Sequence, residues 1–417
     1  MSDATATERK PSFEVDRWRA DFPILDREVH GKPLIYLDNA ATAQRPEAVI
    51  RATDEFYRRH NANIHRGVHT LSEEATEAFE QARDTMRAFI GAVSRREVIF
   101  TRGATEGVNL VAQAYARPRL KPGDEIVITH LEHHSNIVPW QLVCEQTGAR
   151  LKVAPINRRG EVIIEAYEKL LGPQVKMVGM IHVSNALGTI NPVREMIAAA
   201  HAQDIPVLVD GAQATPHMKV DVADLDCDFY CVAGHKMFGP TGIGVLYGRE
   251  SLLDAMPPWH GGGEMIKHVT FEETIYNDLP GKFEAGTPNI AGAIGLGAAA
   301  RYMEAVGIRE IADHEAALLA YATERLEAMD GVEIIGTAAH KASVISLQVA
   351  GAHPHDIGTI LDHAGIAIRT GHHCAMPVMQ FFEIPGTARL SMAFYNTFEE
   401  IDRFVAALEK ARQLLTA

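Results

Sequence analysis

Lys236 closes the tripeptide Gly234-His235-Lys236 directly after the apolar run Asp228-Phe229-Tyr230-Cys231-Val232, and Asp210 ends a second apolar run, Pro206-Val207-Leu208-Val209. In an open α/β sheet, ligands collect outside the carboxyl ends of the strands. An amine and a carboxylate delivered to that rim meet the needs of pyridoxal phosphate, which takes an imine-forming lysine and an anionic partner for its pyridinium nitrogen. A lone lysine is usually a solvated surface group and a lone aspartate usually a turn or helix cap, so the weight lies in finding both at strand ends. Gly234, Gly239, Gly242 and Gly244 in GHKMFGPTGIG let the backbone approach a flat ligand.

Other segments converge on the same rim. Thr101-Arg102-Gly103-Ala104-Thr105 joins a strand to a helix, where backbone N–H groups and the Thr105 hydroxyl can hold a phosphate; the same threonine would serve as a simple cap. In His130-Leu131-Glu132-His133-His134-Ser135-Asn136 an imidazole can stack on an aromatic cofactor. The histidines also admit a zinc hydrolase with His133, His134, His373 and Cys374 as ligands, although neither an H-E-x-x-H motif nor a cysteine-pair spacing is present. Cys374, within Ile368-Arg369-Thr370-Gly371-His372-His373-Cys374-Ala375, sits among glycine, histidines and arginine. That setting suggests a mobile, electropositive loop that favours a nucleophilic thiolate.

The elements that position these groups alternate short apolar runs with amphipathic helices, which predicts a mainly parallel sheet covered on both faces. Strands are expected at Val98–Thr101, Glu125–Thr129, Lys176–Val183, Pro206–Asp210, Asp228–Val232 and Ile243–Tyr247. From Gly292–Gly297 a small-residue run leads into one long helical segment reaching Met329, followed by strands at Val332–Ile335 and Ala342–Val349, the signature of a smaller α+β domain. Thr397 and Glu400 make a capping box for the last helix. The expected division is a large domain over residues 34–302 and a small one built from 1–33 and 303–417.

Composition is that of an ordinary globular enzyme: 417 residues, 47% of them hydrophobic, can bury a large core. A net charge of -14 argues against a nucleic-acid or acidic-membrane surface, and no run of about eighteen apolar residues is present to span a bilayer. MSDATATERKPSF shows no apolar leader or cleavage pattern, so a cytoplasmic, unanchored chain is expected. Four cysteines are too few for a disulfide framework.

Taken together, Tyr36-Leu37-Asp38-Asn39-Ala40-Ala41, the GHK segment, RTGHHCAMPVM and Arg389-Leu390-Ser391-Met392-Ala393-Phe394-Tyr395-Asn396-Thr397 resemble the pyridoxal-phosphate cysteine desulfurases of the aminotransferase class V superfamily, most closely the SufS type. The resemblance runs over almost the whole chain. It implies a fold-type I transferase whose large domain holds a mainly parallel seven-stranded sheet, with the small domain carrying the active cysteine. It further implies Lys236 as the Schiff-base lysine, Asp210 at the ring nitrogen, Gln213 at the phenolic oxygen, His133 stacked on the ring, Asn185 beside ring and substrate, and Thr105 and His235 on the phosphate. Thr287 from a second subunit would complete the phosphate site, hence a homodimer. One departure is Ala233, where the family usually has a hydroxyl; an ordinary hydrogen bond contributes about 0.5–1.5 kcal/mol, a modest loss.

The activity so implied converts L-cysteine to L-alanine, leaving a persulfide on Cys374 for a SufE- or SufU-type acceptor and iron–sulfur cluster assembly. Arg389 would pair with the substrate carboxylate, Arg369 would support the thiolate or substrate entry, and His65 with Arg66 would line the pocket. Selenocysteine lyase, another class V activity, or a sulfur-relay protein acting mainly through partner binding are the competing expectations.

Overall fold

The computed structural model describes residues 13–416. Seven strands form the main sheet: β1 (Val98–Thr101), β2 (Glu125–Thr129), β3 (Arg150–Ala154), β4 (Val175–Ile181), β5 (Val207–Asp210), β6 (Phe229–Ala233) and β7 (Gly244–Gly248), in the order β1-β7-β6-β5-β4-β2-β3. β7 runs antiparallel to both its neighbours, and every other pairing is parallel. The sheet is mainly parallel, as the sequence pattern implied. Its strands alternate between two apolar layers, with Val207, Val209, Tyr230 and Val232 on one face and Leu208, Phe229, Cys231 and Ala233 on the other. Covering both faces in this way is what makes the runs continuously apolar in sequence. β3 escaped the sequence reading because it is an edge strand carrying Arg150 and Lys152, buried only at Ala154.

A second sheet contains β8 (Val332–Ile335), β9 (Val344–Val349), β10 (Arg369–Gly371) and β11 (Thr387–Ser391), in the order β8-β9-β11-β10 and antiparallel throughout. Leu318, Leu326, Ile345, Leu347, Leu390, Phe404 and Leu408 form its core. Ile35 and Leu37 belong to this same core, and the two-residue strand Ile35–Tyr36 pairs with Ile366–Ala367. The segment beginning there thus docks on the second sheet. Residues 1–12 of the expected small domain lie outside the described residues.

The long helix expected to reach Met329 is two helices, Ile290–Val306 and Ile308–Glu327. The break falls at Gly307, whose φ of 97° suits glycine and few other residues. The Thr397–Glu400 capping box is present: Glu400 N–H donates to Thr397 Oγ1 at 3.2 Å and Thr397 N–H to the Glu400 carboxylate at 3.2 Å. Among the described residues no helix is long and apolar enough to cross a membrane.

Gly211, the residue after Asp210, shows how tightly the rim is built. A Cβ there would overlap the fully buried Tyr230 ring on the neighbouring strand. Gly211→Ala should destabilise the protein by about 1–3 kcal/mol and weaken cofactor uptake, read as a lower urea midpoint and a lower bound fraction. An unchanged midpoint would contradict this packing.

Candidate active site

Five strands of the main sheet deliver side chains to one cavity of about 760 Å³ at their carboxyl ends, which Thr105, His133, Asn185, Asp210, Gln213, His235, Lys236, Arg369, Cys374 and Arg389 all help to line. Asp210 is the last residue of β5, and Lys236 lies on the single turn Gly234–Lys236 that follows the adjacent β6. Burial lowers the Lys236 amine to about 8, with Asp210 pulling the other way. Burial likewise raises the Asp210 carboxyl, partly offset by Lys236 and by the Ala212 N–H it accepts at 3.1 Å. Each group thus holds the other's charge in a place where neither would keep it alone.

His133 is neutral: burial, then Lys236, hold it down at about 3. Its Nδ1 accepts the Ser135 N–H at 3.1 Å, which puts the proton on Nε2. His235 is also held neutral, at about 4, chiefly by burial. Thr105 sits in the first turn of the helix Ala104–Leu110, after Gly103. Ala233 presents only a methyl group, and the hydroxyl side chains along the cavity are those of Thr105 and Ser135.

Cys374 enters from the second sheet, just after β10, and it is exposed. The turn that carries it is hydrogen-bonded on both sides. Asn185 Nδ2 donates to the His373 carbonyl at 2.6 Å, and His134 N–H donates to the Cys374 carbonyl at 2.8 Å. His373 Nε2 reaches Thr387 Oγ1 at 2.8 Å, which continues to Ser346 and the Ala186 carbonyl. His373 and Cys374 both take left-handed backbone, φ 53° and 55°, which costs about 1–3 kcal/mol per residue and persists only where surrounding contacts impose it. His373 supplies no positive charge, since burial drives its imidazole to about 2. The cations whose fields reach Cys374 are Lys236, Arg369 and Arg389.

Arg389 is 1% exposed, and burial lowers it to about 10. It donates through Nη1 to the Asn185 carbonyl at 2.9 Å and through Nη2 to Asp38 Oδ1 at 3.0 Å. Arg369 grips the same Asp38 carboxylate through Nε and Nη2 at 3.0–3.2 Å. Asp38 was quoted in a motif but given no role by the sequence, which holds no signal that a residue more than three hundred positions away would bridge two arginines. Glu132 was missed as well. It is fully buried, takes hydrogen bonds from Thr129, Asn136 and the Ile181 N–H at 2.5–2.9 Å, and burial raises it to about 8. It ties the His133 loop to the end of β4.

Three residues expected at the site lie elsewhere in this chain. His65 and Arg66 line a separate cavity of about 280 Å³ with Glu80, Glu264 and Glu284, and His65 contacts Glu80 at 3.2 Å. Thr287 is exposed, beyond Glu284, which Arg83 grips bidentately at 2.7 and 2.9 Å. The zinc alternative finds no support: His133, His134 and His373 commit ring nitrogens to Ser135, Met376 and Thr387, and among the described residues no group of three or more ligands is placed to hold a metal.

The cavity fits pyridoxal phosphate. Gln213 Oε1, Asn185 Oδ1, Arg389 Nε and His373 Nδ1 are buried without partners at its wall, and such groups call for a polar ligand. A carboxylate, an amine and a neutral imidazole stand together at that wall, the groups that a ring nitrogen, an aldehyde and an aromatic face call for. With an amine lowered to about 8, covalent uptake of pyridoxal phosphate by the cofactor-free protein should accelerate as pH rises through about 8 and then level off, because the deprotonated amine is the nucleophile. A rate that levels off only near pH 10.5, the ordinary lysine value, would show that the amine is not perturbed.

The sequence matches the family model for aminotransferase class-V over residues 35–404. It is 51% identical over 415 residues to a probable cysteine desulfurase of Xylella fastidiosa (strain 9a5c), covering 100% of this chain and 99% of that one. It is 50% identical over 405 residues to a cysteine desulfurase of Enterobacter sp. (strain 638), covering 97% of this chain and all of the other. The crystal structure of the cysteine desulfurase CsdA from Escherichia coli, in its S-sulfonic acid form, superposes with a TM-score of 0.90 at 40% identity, covering 97% of this chain and 99% of that one.

Proposed function

The chain belongs to the class V aminotransferase family, whose cysteine desulfurases are pyridoxal-phosphate enzymes, and from that premise we propose that it removes sulfur from L-cysteine, releases L-alanine and keeps the sulfur as a persulfide on Cys374. One observation carries this reading: Cys374 and the Lys236–Asp210 pair line a single cavity, so a sulfur nucleophile faces the imine chemistry.

When bound, pyridoxal phosphate supplies an aldehyde for amines and a conjugated ring that takes up the electron pair released at the substrate Cα. Asp210 holds a proton at the ring nitrogen. Lys236, lowered to about 8, is poised to take the Cα proton as a base and to return one later as an acid. Arg389 receives the substrate carboxylate on its unpartnered Nε, and Asn185, fixed beside it, orients the substrate. The Cys374 sulfur, in one cavity with Arg369, Arg389 and Lys236, attacks the substrate Sγ. The Sγ–Cβ bond breaks, its electron pair stays with the carbon skeleton, and proton uptake completes alanine. Cys374-SH and L-cysteine thereby become Cys374-S-SH and L-alanine, with atoms and electrons in balance.

Thr287 and His65 lie away from the cavity of their own chain, which favours their serving the site of a second subunit in a homodimer. An exposed persulfide suits transfer to an acceptor protein of SufE or SufU type, for iron–sulfur cluster assembly in the cytoplasm.

Intact-mass analysis of the cofactor-loaded protein after L-cysteine should find one extra sulfur, mapped to Cys374, and alanine in solution. Cys374→Ala should keep the cofactor's visible absorption band and lose at least about a thousandfold in alanine formation. Undiminished turnover in that variant would favour a lyase that needs no cysteine nucleophile. Arg389→Ala should raise KM for L-cysteine by about tenfold or more, the scale of a lost charge-assisted pair. An unchanged KM would remove its carboxylate-binding role.

A further inference from the structure

Two imidazoles on the loop after β2 tie down the segment that follows Cys374, and the two ties differ in kind. His130 Nε2 meets the Pro377 carbonyl at 3.1 Å. A carbonyl only accepts, so this nitrogen carries a hydrogen, and the bond persists when the ring gains a second proton. His134 Nε2 meets the Met376 N–H at 3.1 Å. A backbone N–H only donates, so this nitrogen offers its lone pair and the neutral ring keeps its hydrogen on Nδ1. A proton arriving at Nε2 sets one N–H against another and breaks the tie.

Met376 lies two residues past Cys374 and opens the helix Met376–Phe382, and His134 also donates its backbone N–H to the Cys374 carbonyl at 2.8 Å. One residue thus grips the chain on the cysteine and just beyond it, around a turn whose two left-handed residues are kept by their contacts. Unlike His133 and Ser135, His134 does not line the cavity, so it reaches the chemistry only through that turn. The titratable groups of the turn are His372, its ring 5.8 Å from that of His134, His373 and Cys374; His133 stands 6.3 Å away on the same loop as His134. The helix Met376–Phe382 carries none. Of the elements packed against the His134 turn, the helix Ala104–Leu110 brings Glu106, engaged with Arg102, the helix Val138–Thr147 brings Glu145, and β4 brings Lys176 near its start. Burial, then His372, lower the His134 imidazole below its ordinary 6.5, so the ring is neutral near neutral pH and the tie is lost as pH falls below 6.5 through the lowered value. We propose that His134 is a positioning residue for Cys374: its neutral ring holds the Met376 amide and with it the cysteine turn, and a proton on the ring releases both. The inference rests on the reading that Cys374 is the sulfur nucleophile.

The test uses the pyridoxal-phosphate-loaded protein and reads amide hydrogen exchange, which needs no turnover, as protection relative to the intrinsic rate at each pH. From about pH 8 to about pH 5, protection at Met376 should fall by about fivefold or more, the scale of one lost hydrogen bond. Val178, whose N–H donates to the Pro206 carbonyl in the main sheet, should hold its protection. His134→Gln, whose carboxamide oxygen accepts the same N–H and does not titrate, should keep Met376 protected across the range. His134→Ala should lack that protection throughout, and its Cys374 should react with iodoacetamide faster than that of His134→Gln at the same pH. Protection at Met376 that stays within about twofold across the range, a fall shared equally by Val178, or a His134→Gln variant that falls as wild type does overturns the proposal. Where His134→Gln does not take up the cofactor, the wild-type contrast between Met376 and Val178 decides. Cys374→Ala separates the two ideas: undiminished turnover there sinks the nucleophile reading, while lost turnover beside pH-independent exchange at Met376 sinks the His134 role alone.

Discussion

A lysine amine, part-buried, and an aspartate carboxylate, buried, share one cavity at the ends of adjacent parallel strands, and the rest of the structure serves that pairing. Burial pushes the amine down to about 8 and the carboxyl up, and each opposes the shift of the other. The strands that carry them must be apolar on both faces, so the sheet must be covered on both sides. The step from β5 to β6 must also be close, which is why Gly211 tolerates no side chain against Tyr230. An ionisable pair held this way contributes little to stability and much to chemistry, since it fixes where a proton and an electron-withdrawing ring can sit.

The thiol of the cavity comes from the other sheet. Cys374 is carried into the cavity on a turn with two successive left-handed residues, held by Asn185 from one side and His134 from the other. A nucleophile on a pinned turn pays no ordering entropy when the substrate arrives. The same sheet supplies Arg369 and Arg389, facing each other across one strand pair and joined by Asp38. The main sheet thus brings Lys236 and Asp210 to the cavity, and the second sheet brings Cys374, Arg369 and Arg389.

Much of the first sheet was legible in the sequence because β5 and β6 are continuous apolar runs, the first ending in Asp210 and the second followed by the turn that carries Lys236. β3 was not, since an edge strand needs no apolar outer face. β10 was not, because Arg-Thr-Gly is short and carries no apolar side chain, and β11 was passed over although Thr-Ala-Arg-Leu-Ser alternates polar and apolar residues with a strand's period. Asp38 and Glu132 act through contacts between segments far apart in the chain or through burial, and neither leaves a local pattern. Adjacent histidines and a glycine suggested mobility at Cys374, whereas the hydrogen bonds that pin it come from residues remote in sequence. Ala233 stood out only against the family's pattern.

The measurement that bears most directly on the whole account is borohydride reduction of the pyridoxal-phosphate-loaded protein followed by peptide mapping. The account predicts one reduced adduct, on Lys236, and loss of that adduct in Lys236→Ala. An adduct on another lysine, or none on a protein that binds the cofactor, would contradict it.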